Sequence, residues 1–399
     1  MSLLIDPPNA SGHGRLWSHL ASDASYEELH AFAATLGIPP RGFDRDHYDI
    51  PAERYDAVVA AGATPVSSRE LITRLTAAGL RRRKNRTLVP RRSGRPLVRP
   101  ARLHPGARVA VVSPSGPVPD DRLDAGLAVL RSWGLDVLLM DHARGRHAHF
   151  EYLAAVDEAR AADFMAAWRD PSVAAVVAAR GGYGAQRMVD LLDWEAIAQA
   201  GPKVLVGFSD VTALHQAFAS RLGMSTVHGP VVTSLGSGAD VSGEHLRRLL
   251  FEPAPGLSLT PTPATTVVPG VADGVLVGGN LALLAAEIGT RNSEPAADSI
   301  AVLEDVNEDV YRLDRLVTQL LRAGWFDRVR GIVLGAFTDC GPEPDVRALM
   351  ADRLAPLGVP MVAGVRVGHD HVNLAFPLGV PARLDATAGA LSLTASPLL

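Results

Sequence analysis

Ser209, Glu304 and His369 each stand at the end of an apolar run. Val204-Leu205-Val206-Gly207-Phe208 precedes the serine, Ile300-Ala301-Val302-Leu303 the glutamate and Val365-Arg366-Val367-Gly368 the histidine. A hydroxyl, a carboxylate and an imidazole are the parts of an acyl-transfer site. The hydroxyl needs a base to take its proton as it attacks a carbonyl, and the base needs a carboxylate to fix its tautomer and stabilise the imidazolium. The three lie far apart in the chain, so only a fold can bring them together.

The serine stretch is ambiguous by itself. An apolar run, a glycine, a serine and then a helical pattern over Thr212, Ala213, Leu214, Ala217 and Phe218 is the sequence of a nucleophile elbow. The second glycine of that pattern is absent, with Val211 in its place. Ser209 or Asp210 as a plain N-cap of the next helix is the competing reading. Upstream, Arg180-Gly181-Gly182-Tyr183-Gly184 follows another apolar run. It lacks the Lys-Ser/Thr of a phosphate loop and the glycine spacing of a dinucleotide fingerprint. Glycines at a strand end still leave backbone N–H groups open to a ligand, as an oxyanion hole requires. Arg180 suits either a substrate carboxylate or a structural ion pair. Glu308 is a second carboxylate near Glu304. His371 would share a face with His369 if both lay on a strand.

The elements that must position these groups read as α/β. Buried-strand patterns at Arg108–Val112, Asp136–Met140, Val173–Ala179 and Val204–Val206 alternate with helical ones at Leu123–Trp133, Asp157–Trp168 and Met188–Leu192. That alternation predicts a parallel, doubly wound sheet with ligands at the carboxyl ends of its strands. A Gly-, Pro-, Ser- and Thr-rich stretch over 236–270, around one helix from Glu244 to Phe251, reads as the crossing to a second lobe. In that lobe, strands are predicted at Gly274–Leu281, Ser299–Asp305, Gly331–Phe337, Pro360–Gly364, Val365–His369, Leu374–Arg383 and Ala390–Leu393, with a helix over Asp314–Leu321. The predicted organisation is 1–80, a small separate domain; 81–104, a basic, Pro-broken linker; 105–235, the lobe with the serine; 236–270, the connection; and 271–399, the lobe with the glutamate and histidine.

With 399 residues, 47% hydrophobic and 21% charged, the chain has the length of roughly two or three domains and the profile of a soluble globular protein. A net charge of −4 gives no case for nucleic-acid binding. The single cysteine, Cys340, excludes an internal disulfide and reads as structural. The start, Met-Ser-Leu-Leu-Ile-Asp-Pro-Pro, has no signal-peptide character, and no stretch approaches the roughly 20 apolar residues of a membrane helix. A cytoplasmic enzyme without metal or cofactor is expected.

Residues 1–80 predict a short strand at Leu3–Ile5, a helix from Ser25 to a stop at Gly37, and helices near 52–61 and 67–79. They hold His13, His19, His30 and His47 with Asp6, Asp23 and Asp49, types that suit a metal or phosphate. No pair has helical ligand spacing, and polar capping with surface hydrogen bonding is the reading adopted. Residues 80–102 carry arginines with no acidic residue between them, and Pro90, Pro96 and Pro100 among them. They read as a solvated linker, with an anionic partner as the alternative.

Six motifs in order resemble the LD-carboxypeptidase (muramoyltetrapeptide carboxypeptidase) family, which includes the microcin-C immunity peptidases. They are Ala179–Gly184, Gly207–Thr212, Gly278–Leu281, Leu303–Glu308, Tyr311–Arg315, and Gly368-His369 with Pro377-Leu378-Gly379; together they span about 105–390. The resemblance implies a flavodoxin-like N-lobe and a β-rich C-lobe with the site between them, in a homodimer. It implies Ser209 as nucleophile, His369 as base and then acid, and Glu304 as orienting carboxylate. The N–H groups of Asp210 and Gly182 would form the oxyanion hole, and Arg180 and Gly181 would contact substrate. The implied activity is release of terminal D-Ala from murein tetrapeptide in cell-wall recycling. Aminoacyl- or peptidyl-nucleotides are the alternative substrate, which an aromatic residue able to stack on a base would favour; Trp194 and Trp325 are present, and the sequence does not place either in the pocket. A binding or regulatory fusion is the alternative of another class. Residues 1–80 resemble a small bacterial domain of unknown function, which implies no chemistry.

Overall fold

Runs of Val, Ala and Leu bounded by glycine and polar turns form the sheets, and the helices cover them. The structure, a computed structural model, describes residues 2–12, 15–44, 46–78, 80, 97–235 and 240–399. They fall into two units, Met1–Thr87 and Leu88–Leu399.

The first unit is a six-stranded sheet. Its path runs Phe43–Asp44, His47–Pro51, Arg15–Ser22, Leu3–Ile5 and Thr64–Pro65, and Ala10–Gly12 pairs with Arg15–Ser22. Ser25 caps the helix Tyr26–Thr35 by accepting from the Glu28 N–H at 3.1 Å, and the chain turns away at Gly37 with φ 64°. Leu20, Leu29, Tyr48, Ile50 and Val58 fill its core. The predicted helix near 52–61 is a short 3₁₀ turn followed by Tyr55–Ala60. The strands Arg15–Ser22 and His47–Pro51 have no counterpart in the sequence reading, because their histidines and aspartates break the apolar alternation that marks a strand.

The second unit contains both lobes. Its N-lobe strands are β1 (Arg108–Val112), β2 (Asp136–Leu139), β3 (Val173–Ala178), β4 (Val204–Gly207) and β5 (Thr226–His228). They are parallel and lie in the order β2-β1-β3-β4-β5, the flavodoxin-like arrangement, with the order reversing between β1 and β3. The C-lobe strands are β6 (Thr265–Val268), β7 (Val271–Asn280), β8 (Ser299–Val306), β9 (Gly331–Thr338), β10 (Met361–Ala363), β11 (Phe376–Leu378), β12 (Pro381–Asp385) and β13 (Ala390–Leu393). Seven of them form a sheet in the order β6-β10-β9-β8-β7-β12-β13, parallel from β10 to β7 and antiparallel outside.

β11 belongs to the other lobe. It pairs antiparallel with β5, placing Phe376 opposite His228. The predicted single strand Leu374–Arg383 is therefore two strands in two sheets. Pro377, Pro381 and Gly379, the last at φ 82°, break the run between them. Val365–His369 is likewise not a strand, since the chain turns at Gly364 (φ 78°) and Gly368 (φ 111°). The helix predicted at Met188–Leu192 lies earlier, at Ala185–Val189.

Only part of the predicted linker 81–104 falls among the described residues. Residues 81–96 lie outside the described residues. From Val98 onward the chain is bound to the second unit: the Val98 N–H donates to Gly223 O at 3.1 Å and the Leu103 N–H to Leu250 O at 2.9 Å. Within 236–270, helix Asp240–Phe251 packs Leu246, Leu249 and Leu250 into the N-lobe core, whereas β6 joins the C-lobe sheet.

Candidate active site

β4 delivers the serine. Its chain leaves Gly207 through an extended Phe208, and Ser209 takes φ 63°, a left-handed conformation that a non-glycine residue adopts only at a cost. Ser209 and Asp210 make no cap for the following helix, Thr212–Leu222. The Asp210 carboxylate instead accepts from the Ala185 N–H at 2.7 Å, at the start of the helix after the glycine turn. The serine turn and the glycine turn are thereby tied together. Burial pushes the Asp210 carboxyl up against that hydrogen bond, which favours its charge.

Ser209 Oγ lies 2.9 Å from His369 Nε2, and His369 Nδ1 lies 2.7 Å from Glu304 Oε2. Glu304 is fully buried near the end of β8, and the imidazole is 18% exposed. Burial alone would raise the glutamate; His228 and His369 outweigh it and hold Glu304 down to about 2. His228 ends β5, fully buried, with its ring stacked on Phe376 at 4.6 Å between centroids and its Nε2 3.8 Å from Glu304 Oε1. It backs the carboxylate on the side away from His369. The sequence reading does not single it out, because β5 is only three residues long and its pairing with β11 is a tertiary event.

The glycine turn faces the serine at contact distance. A Cβ on Gly181 would lie 2.9 Å from Ser209 Cβ and 3.1 Å from its Oγ. Gly182 has φ 112°, and Gly181 O accepts from the Gly116 N–H at 3.1 Å across the β1–β3 switch point. Buried Arg160 staples the neighbouring turns, donating to Gly184 O at 2.9 Å and to Ala155 O at 3.2 Å, with Pro114 O and Asp157 as further partners. Among the described residues, no acceptor takes the N–H of Asp210 or of Gly182.

The C-lobe is latched to the serine helix. The Asn280 N–H donates to Thr212 Oγ1 at 3.1 Å, its side-chain oxygen accepts from Leu283 N, and its amide donates to Asp305 Oδ1 at 2.8 Å. Burial, with the charge of Glu304, pushes Asp305 up to about 6 against the hydrogen bonds it accepts.

The open alternatives resolve by position. Glu308 points to Arg312, 3.8 Å away, and not to the histidine. His371 is exposed in an irregular segment, its N–H donating to Asp370 at 2.6 Å. Arg180 donates to Pro117 O at 2.6 Å, and among the described residues it pairs with no carboxylate. Trp194 packs on Phe218 and Arg221, and Trp325 is buried in the C-lobe core. Cys340 is buried, and burial pushes its thiol up to about 11, away from reactivity.

A doubly wound sheet that presents a strained serine to an imidazole backed by a buried carboxylate places the chain among serine hydrolases built on an α/β fold. Comparison with known proteins makes the class specific. Residues 109–229 match the LD-carboxypeptidase N-terminal domain and residues 273–384 the LD-carboxypeptidase C-terminal domain, while residues 3–78 match a domain described as a protein of unknown function, DUF4031. A putative carboxypeptidase of Streptomyces coelicolor is 56% identical over 75% of this chain and 97% of its own length. A murein tetrapeptide carboxypeptidase of Pseudomonas aeruginosa is 36% identical over 70% of this chain and 93% of its own. Among solved structures, a muramoyltetrapeptide carboxypeptidase from Oxalobacter formigenes superposes with a TM-score of 0.64 at 29% identity, covering 72% of this chain and 97% of that one. An MccF-like protein from Bacillus anthracis shares the fold, with a TM-score of 0.69 at 24% identity over 75% of this chain and 100% of its own. The chain belongs to the LD-carboxypeptidase family and is a serine-type LD-carboxypeptidase.

Proposed function

We propose that the chain releases the terminal D-Ala of a murein tetrapeptide by cutting the L,D-type bond beside the third residue. The observation that carries the reading is the continuous contact Ser209–His369–Glu304, at 2.9 and 2.7 Å. The names of its Pseudomonas aeruginosa and Oxalobacter formigenes relatives support the substrate.

With Glu304 ionised, His369 carries its proton on Nδ1 and offers the Nε2 lone pair to the serine hydroxyl. Ser209 Oγ attacks the scissile carbonyl as its proton passes to Nε2. The tetrahedral oxyanion is met by the N–H groups of Asp210 and Gly182, which no described residue engages. Collapse breaks the C–N bond, and D-Ala leaves with the proton from Nε2, so that an acyl-enzyme remains on Ser209. Water then attacks the ester, giving its proton to Nε2, and the serine recovers that proton as the tripeptide leaves. Arg180, pinned through one nitrogen to Pro117 O, offers its other N–H groups to the terminal carboxylate beside Gly181. Wall-fragment recycling in the cytoplasm by a homodimer goes with this reading, and light scattering tests the assembly.

The deciding experiment incubates the full chain and its Ser209→Ala variant with murein tetrapeptide and, separately, with a peptidyl-nucleotide. D-Ala release from the first, lost in the variant by roughly 10⁴-fold or more, is the expected result. A folded wild-type chain that releases no D-Ala overturns the proposal. Cleavage of the nucleotide alone moves the substrate to the other class.

A further inference from the structure

The peptidase chemistry leaves one cluster unused, in the first unit. His19 lies on strand Arg15–Ser22, and His47 and Asp49 lie on strand His47–Pro51. The two strands pair antiparallel with His19 directly opposite Asp49. Residues two apart on a strand share a face, so His47, Asp49 and His19 project from the same side of the sheet. One ligand atom from each lies within 4.8 Å of the others. His47 Nε2 is 3.3 Å from Asp49 Oδ1, close to the edge of a tetrahedron whose metal bonds are about 2.0–2.1 Å.

The second layer argues more strongly than the first. His19 Nδ1 is 2.9 Å from Asp6 Oδ2 and His47 Nδ1 is 2.6 Å from Asp46 Oδ1. Both aspartates are buried, at about one per cent exposure. Asp6 is itself held by the His19 N–H at 2.6 Å and Ser68 Oγ at 2.7 Å. A buried carboxylate on one ring nitrogen fixes the tautomer, turns the other nitrogen's lone pair outward and raises its basicity, as behind metal-bound imidazoles. Capping and surface hydrogen bonding do not call for two imidazoles each backed by its own buried carboxylate and converging on a third acidic group.

We propose that His19, His47 and Asp49 bind one divalent transition-metal ion, Zn²⁺ in the first instance, with Asp6 and Asp46 orienting the two imidazoles. Two nitrogens and one carboxylate oxygen suit zinc and its first-row neighbours and do not suit Mg²⁺ or Ca²⁺, which take oxygen ligands. Three protein ligands leave a coordination position for water or a small anionic ligand. Asp49 is exposed and His19 partly so, and that position therefore faces solvent. The cluster belongs to the first unit and Ser209 to the second, and the peptidase mechanism uses none of its residues.

The test uses the full chain, stripped with a chelator and dialysed against Zn²⁺ or Co²⁺, with bound metal measured by mass spectrometry and the visible Co²⁺ spectrum recorded. About one equivalent per chain is expected, with the intense bands of a low-coordinate cobalt site. Ser209→Ala retains the metal. His47→Ala and Asp49→Asn lose it. Asp6→Asn weakens affinity by about 10–100-fold. Asp49→Asn, at an exposed position, keeps the test decisive if His47→Ala does not fold, as circular dichroism reports. Failure of the stripped wild type to take up either metal overturns the proposal, as does full metal retention by a folded Asp49→Asn.

Discussion

Gly368 and Glu304 approach more closely than any other residue type at position 368 would allow: a Cβ there would lie 2.7 Å from Glu304 Oε2 and 2.8 Å from Glu304 Cβ. Gly368 also sits at φ 111°, and its N–H donates to Asn373 Oδ1 at 3.0 Å. The residue before the histidine thus sets how near the imidazole comes to its carboxylate. Gly368→Ala should displace His369 from Glu304 and add backbone strain of about 1–3 kcal/mol. A fall in kcat/KM of about a hundredfold is expected, with a lower urea midpoint. Unchanged turnover would remove the packing argument.

Glu304 and Glu308 should separate cleanly by mutation. Glu304→Gln keeps size but loses the charge that holds the His369 tautomer, and kcat should drop by roughly 10³–10⁴. Glu308→Gln removes a partly buried charge 3.8 Å from Arg312, outside the Ser209–His369–Glu304 contact, and should leave kcat within about threefold. Steady-state kinetics on the same substrate decides. The opposite ranking would move the orienting role to Glu308.

Acid should destabilise the serine lobe through His215. Burial, helped by His228 and opposed by the bond to Gly207 O, pushes this histidine down to about 3. Its ordinary value is near 6.5, so below that the unfolded chain takes a proton that the folded chain refuses. The contribution is complete above 6.5 and is lost as pH falls toward 3, at no more than about 1.4 kcal/mol per pH unit. Glu304 adds a loss of the same sign from its ordinary 4.5 down to about 2. Asp305, raised to about 6, acts oppositely: its contribution is complete below 3.8 and is lost as pH rises through 6. Comparison with His215→Gln, which gains no proton, isolates the histidine. Urea midpoints at pH 7.5, 6, 5 and 4.5 should show the wild type losing ground to the variant as pH falls. Parallel curves would show that His215 does not carry the effect.

Much of the candidate site was legible in the chain, because each group stands at the end of an apolar run. Ser209 after Gly207, Glu304 after Leu303 and His369 after Gly368 can be picked out by residue type and position. The alternation of β1 to β4 with helices likewise predicts the parallel sheet and the end of it that binds ligand. What the reading missed was set by partners from distant segments or by a glycine or proline that breaks an apolar run. Short strands whose side chains meet partners from distant segments carry no periodic signal. β5 and β11 are three residues each and pair with one another across the lobes. Arg15–Ser22 and His47–Pro51 carry polar residues on the face where His19 and His47 meet.

Local sequence thus determined which residues could do chemistry and the turns on which they stand, since turn geometry and strand burial depend on neighbours a few residues away. Pairing was decided elsewhere. That His369 faces Ser209 and Glu304 while His371 is exposed, that Asp210 caps the helix of the glycine turn, and that His228 backs the carboxylate all follow from how strands and turns far apart in the chain pack together. Such distances are set by the packing of whole sheets, which no window of neighbouring residues contains.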